Sequence, residues 1–156
     1  NKKKTASFFQ KPLEEDGTPD RVWLVIDEAH VVAPRDQISP ARSALVEYVK
    51  RGRDAGLSLV LATQQPSALD DRILSQVNVT FSHRLSFQSD INSAVNRIPT
   101  KSVKAMKFSG TNLTDFGDMV RVLDAGQCFL GDQASSRTVL IQIRPRVSAH
   151  GGYSPF

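Results

Sequence analysis

The chain has 156 residues, enough for one ordinary domain with a real core and too few for two large ones. At 40% hydrophobic and 23% charged it is not a disordered chain; no run approaches the roughly 18 apolar residues of a membrane span, and a single cysteine, Cys128, excludes an internal disulfide framework and a cysteine-cluster zinc site. Lys plus Arg is 20 and Asp plus Glu is 16, a net charge of +4 that permits a nucleic-acid partner without requiring one.

Residues 1–20 hold Lys2, Lys3 and Lys4, then Glu14, Glu15, Asp16, Gly17 and Pro19, with no sustained apolar period. They read as a flexible lead-in, and not as a basic-then-apolar signal segment. Val22 to Ile26 is a continuous apolar run, which fits a strand of a parallel sheet covered on both faces. Ser39-Pro40 then opens a helix, Ser39 as cap and Pro40 in the first turn. Ala41, Ala44, Leu45, Tyr48 and Val49 supply its apolar face, and Gly56 is placed to end it in a left-handed conformation.

Leu57 to Thr63 is the second buried strand, stopped by Gln64-Gln65-Pro66. Asp70 caps a short helix through Gln76. Val77 to Leu85 alternates apolar and polar residues, as a third strand does. A helix starts at Ser89 or Asp90 and ends before Pro99; another covers Asp115 to Leu123. Two strands follow, Gln127–Leu130 and Thr138–Arg144, joined through a turn-rich stretch as a hairpin-like pair. Strand–helix–strand alternation closed by a strand pair predicts an α/β fold with a mostly parallel sheet.

The sharpest feature is VWLVIDEAH, residues 22–30, an apolar strand that delivers two adjacent carboxylates to its C-terminal end. Ligands of open α/β sheets bind outside the carboxyl ends of the strands. There Asp27 suits Mg²⁺, since hard cations take carboxylate oxygen, and Glu28 suits a water poised to attack a γ-phosphate. The competing reading has Asp27 capping the next turn and Glu28 solvated. Lys50-Arg51-Gly52-Arg53 closes the following helix, and a guanidinium forks onto phosphate oxygens. A second strand ends in Gln64, which sits beside the acidic pair if the two strands are neighbours.

The run from Val22 to Leu85, with RPRVSAHGG at residues 144–152, resembles the HerA/FtsK superfamily of P-loop motor ATPases, and most of all its HerA branch of hexameric DNA translocases. The resemblance covers residues 21–152 and implies a RecA-like core. It implies ATP and Mg²⁺ as cofactors, Asp27 and Glu28 as the Walker B pair, and Glu28 as the catalytic carboxylate. It further implies Gln64 as the sensor at the nucleotide and Arg53 as an arginine finger reaching a neighbouring subunit, with Arg51 the alternative. Gln65 stands where many relatives carry Arg and receives no role; His30 reads as a local hydrogen-bonding residue.

The chain carries no G-x-x-x-x-G-K-[ST] phosphate loop. The family places that loop upstream of the Walker B strand, and the chain begins at Asn1 and not at Met. We therefore expect the C-terminal part of a longer ATPase, with residues 21–147 in the core, 148–156 a tail, and no hydrolysis by this chain alone. Partners implied are a ring of identical subunits, DNA held by its backbone, and a nuclease, in the cytoplasm. Lys101, Lys104 and Lys107 share one face if helical and are candidate DNA contacts, as are Arg72, Arg84 and Arg97; a solvated helix face is the other reading. The alternatives are a non-hydrolysing interaction domain on the same fold, or a conjugation or secretion coupling ATPase.

Overall fold

A computed structural model describes residues 22–52, 56–99, 115–145 and 147. The lead-in and the tail lie outside the described residues, as do Arg53, Lys101, Lys104 and Lys107. The described residues form two compact units divided between Asn78 and Val79.

In the first unit, strand β1 (Val22–Ile26) pairs in parallel with β2 (Leu57–Leu61), in the register Val22 with Leu57 through Ile26 with Leu61. In-register residues of neighbouring strands share a face, so Leu24, Ile26, Leu57, Leu59 and Leu61 turn together toward a core built on Leu45, Val46, Tyr48, Leu69 and Ile73. Coverage holds on this face alone. The other face carries Trp23, 67% exposed, and Val25, 66% exposed, so the expectation of a strand covered on both sides is corrected among the described residues.

Between the strands lie a single helical turn, α1 (Ala29–Val32), and the main helix, α2 (Pro40–Arg51). The Ser39 hydroxyl accepts the Ala41 N–H at 3.2 Å, satisfying one orphan donor of the first turn, and Pro40 lacks an N–H that needs a partner. The buried stripe of α2 is Leu45, Val46 and Tyr48; Ala41 and Ala44 face solvent instead. Full burial of one such side chain stabilises by about 1.5–3 kcal/mol. The helix closes on Gly52, where an added Cβ would sit 2.5 Å from the Tyr48 carbonyl oxygen. The left-handed glycine is Gly56, at φ 65°, directly before β2 and not at the cap of α2.

After β2 the chain runs through a 3₁₀ turn (Pro66–Ala68) into α3 (Asp71–Leu74), capped by Asp70 as its position predicts. Pro34 and Leu69 form an antiparallel bridge, which ties the loop after α1 to the segment after β2.

The second unit is an antiparallel sheet in the order β3 (Val79–Ser82), β4 (Gln127–Asp132), β5 (Arg137–Gln142). The strand pair at the end is a hairpin, as expected, its turn held by Asp132, whose carboxylate accepts the N–H groups of Ala134 and Ser135 and the Ser135 hydroxyl. The third strand joins this pair antiparallel through β4. Helices α4 (Gln88–Val95) and α5 (Phe116–Arg121) contribute to its core, where Phe116 and Phe129 meet with ring centroids 5.0 Å apart. Asp115 caps α5 by accepting the Gly117 N–H at 2.8 Å.

Candidate functional site at the carboxyl ends of β1 and β2

Parallel pairing in register carries both strands to one edge together. The ladder runs on past their ends, because Ala62 N–H donates to the Ile26 carbonyl and Ala29 N–H to the Ala62 carbonyl, each at 2.9 Å. Asp27, Glu28, Thr63 and Gln64 are thereby set side by side. Gln64 Nε2 donates to Glu28 Oε1 at 2.9 Å, across 36 residues of sequence. The expectation that a polar amide would stand beside the acidic pair is met by a direct bond.

Glu28 has φ 47° and ψ 46°, left-handed backbone in a residue that is not glycine. Side-chain crowding makes this cost roughly 1–2 kcal/mol. The conformation is held from both sides. Glu28 N–H donates to Asp27 Oδ1 at 2.9 Å, and the Glu28 carbonyl accepts the Val31 N–H at 2.8 Å. So Asp27 does brace the turn, while its carboxylate also stays exposed. Backbone strain of this kind collects at functional sites because the surroundings must over-determine it.

His30 closes the group. Its Nδ1 lies 2.9 Å from Thr63 Oγ1 and 3.4 Å from Glu28 Oε2. Thr63 Oγ1 in turn accepts the Gln65 N–H at 3.1 Å. Thr63 received no role from the sequence; its only signal there was its place at the end of β2, one residue before Gln64. His30 is the local hydrogen-bonding residue that its position suggested.

The donor set fits a magnesium–nucleotide ligand. Mg²⁺ keeps several waters and takes one or two carboxylates together with substrate phosphates. Asp27 offers one exposed carboxylate, and among the described residues no three His, Cys, Asp or Glu side chains gather into a cage of their own.

A second polar cluster of the first unit gathers around Asp70. Asp70 is buried and accepts from Arg42 Nε, from Arg72 Nε at 3.1 Å, from Arg72 Nη2 at 2.8 Å and from the Arg72 backbone N–H at 2.8 Å. The Arg72 guanidinium, and after it that of Arg42, holds the Asp70 carboxyl well below the usual carboxylate range although burial pushes the other way. Arg42 also donates to the Gln37 carbonyl, and Arg35 pairs with Asp71 at 2.7 Å. Arg72, one of the candidate DNA contacts, is thus engaged with Asp70 while 55% of its side chain stays exposed.

Of the remaining candidates, Arg51 is exposed and pairs with Glu47 at 3.1 Å, one helical turn back. Arg84 and Arg97 belong to the second unit, with Arg84 exposed. Among the described residues no helix is long and apolar enough to cross a membrane.

No family model matches the chain. In sequence it is similar to the DNA double-strand break repair helicase HerA of Pyrococcus furiosus, 27% identical over 122 residues, 78% of this chain and 20% of that protein. The HerA of Sulfolobus acidocaldarius is 23% identical over 141 residues, 89% of this chain and 26% of that protein. The chain therefore spans a fifth to a quarter of these relatives. In structure it is similar to the genome packaging NTPase B204 of Sulfolobus turreted icosahedral virus 2, solved with ATP-gammaS, at a TM-score of 0.58 and 19% identity over 79% of this chain and 52% of that one. It is also similar to the bacterial conjugative coupling protein TrwB, at a TM-score of 0.60 and 16% identity over 90% of this chain and 34% of that one. These neighbours have RecA-like P-loop ATPase folds. In sequence, then, the chain is similar to HerA helicases, and in fold it is similar to P-loop ATPases of the packaging and coupling kinds.

Proposed function

We propose that this chain supplies the hydrolytic edge of an ATP-driven DNA translocase or helicase of HerA type. The observation that carries the reading is the Gln64 to Glu28 hydrogen bond at the carboxyl ends of two in-register parallel strands. That bond puts a carboxylate and an amide at the place where α/β folds bind nucleotides.

On this reading Asp27 holds the Mg²⁺ of a bound ATP, directly or through water. Held there, the ion would neutralise charge on the β- and γ-phosphates. Glu28 orients the attacking water and accepts its proton, and Gln64 couples Glu28 to the state of the γ-phosphate. Arg53 reaches the nucleotide of an adjoining subunit in a ring of identical chains, a hexamer by resemblance to HerA. Nothing in the sequence supplies a phosphate loop, so that part of the site comes from residues outside this chain. DNA is held by its backbone through Lys101, Lys104 and Lys107, without base readout. ATP and DNA meet in the cytoplasm, and a nuclease partner fits a role in break repair like that in the relatives' names.

The test is an assembly in which a phosphate-loop unit of a HerA-type ATPase completes this chain. Glu28→Gln there should abolish hydrolysis and leave ATP binding intact. Hydrolysis that survives the substitution sinks the reading.

A second reading is a coupling ATPase of the conjugative kind. It is favoured by the fold likeness to TrwB, which extends over 90% of this chain. Strand opening by the completed assembly marks a helicase; ATP-driven movement along duplex DNA without strand opening marks the coupling ATPase.

A further inference from the structure

The Glu28 carboxylate is approached from two sides. Gln64 Nε2 donates to Oε1 at 2.9 Å, and His30 Nδ1 stands 3.4 Å from Oε2. The same Nδ1 is 2.9 Å from Thr63 Oγ1. The Thr63 contact suits either neutral form of the ring, since a hydroxyl donates or accepts; the Glu28 contact is the one that separates them. With Nδ1 bare, its lone pair would face a carboxylate oxygen, acceptor against acceptor. With the proton on Nδ1, one N–H serves both Thr63 Oγ1 and Glu28 Oε2. The ring is also well seated, with 17% of its side chain exposed against 44% for Glu28.

We propose that His30 is a positioning residue for Glu28: its Nδ1–H, steered by the Thr63 hydroxyl, fixes the carboxylate at Oε2, the oxygen that Gln64 leaves free. This rests on the reading of Glu28 as the water-orienting carboxylate. Thr63 and Gln64 are consecutive residues at the end of β2, so the loop that meets the γ-phosphate also sets the ring that aims Glu28. A movement of that loop shifts both donors at once. Gln65 belongs to the same device, since its N–H holds Thr63 Oγ1 at 3.1 Å.

Two measurements test it. The first needs no nucleotide. In the ¹⁵N-labelled 156-residue chain at pH 8, two-bond ¹H–¹⁵N correlations of the His30 ring should report the Nδ1–H tautomer, the reverse of what free imidazole side chains prefer. Glu28→Ala with Thr63→Val should return the ring to the Nε2–H form. An Nε2–H ring in the unaltered chain overturns the proposal. The second uses the completed assembly. His30→Ala should lower kcat by about 100-fold, the scale of a misplaced reacting group, with the ATP Kd unchanged. His30→Asn, whose amide N–H can stand where Nδ1–H stood, should recover most of the loss. His30→Ala with native kcat, beside a dead Glu28→Gln, overturns the positioning role alone. Native hydrolysis by Glu28→Gln overturns the reading of Glu28 and the positioning role with it.

Discussion

Glu28 carries two demands that pull apart. Its side chain bonds Gln64, while its backbone sits at φ 47°, where glycine is at ease and a side chain is not. Glu28→Gly removes the crowding at the loss of the exposed Gln64 bond and the longer His30 contact. Its thermal midpoint should therefore rise, by the equivalent of up to about 1 kcal/mol. A lower midpoint in differential scanning calorimetry would show that the side-chain contacts outweigh the strain. The chemistry of this residue was legible in the sequence, since an apolar run ending in Asp27-Glu28 leaves little doubt where the carboxylates emerge. Its backbone was not, because left-handed geometry in a non-glycine residue is imposed by surrounding bonds. Those come from Asp27 Oδ1 and from the Ala62 carbonyl that takes the next N–H, and only the fold brings the latter near.

At the scale of elements, the strands and helices reach their places through short polar clamps as well as apolar faces. Asp70 joins α2, through Arg42, to α3, through Arg72 and its own cap on that helix. Asp70→Asn keeps the cap but removes the charge, and should cost about 2–3 kcal/mol at pH 7. A carboxyl depressed in the folded state stabilises fully above its unfolded-chain value, about 3.9, and loses that contribution as pH falls toward the lower folded value. The gap in urea midpoint between the native chain and Asp70→Asn should therefore be constant from pH 7 to about pH 5 and shrink below about pH 4. A gap that stays constant to pH 2 would mean that the charge of Asp70 contributes nothing. The cap itself was readable from Asp70 lying just before a short helical segment, as was Ser39-Pro40. The arginine partners were not, since Arg42 lies 28 residues from Asp70 in sequence. Likewise the alternation in residues 77–85 identified a strand but could not name its neighbour; period-2 patterning fixes a face, and β4 arrives only after more than 40 further residues.

For the whole molecule, the proposed motor has to combine the carboxylate edge of this chain with a phosphate loop that its sequence does not carry. This chain alone should show no steady-state ATP hydrolysis above a buffer blank, because nothing in its sequence cradles the β- and γ-phosphates. The proposed ring adds a stricter condition. If Arg53 acts across a subunit boundary, each working site takes Glu28 from one subunit and Arg53 from the next. Completed assemblies carrying Glu28→Gln alone, or Arg53→Ala alone, should then both be inactive. Mixed rings of the two variants contain some boundaries where a native Glu28 meets a native Arg53, so hydrolysis should return on mixing. Were both residues to serve the same subunit's nucleotide, every site in the mixed ring would lack one of them and mixing would restore nothing. The ATPase rate of the mixture against the two separate variants therefore decides between a trans and a cis finger. Its dependence on protein concentration further separates ring assembly from a simple pair, since closed symmetry demands that the same boundary recur around the whole ring.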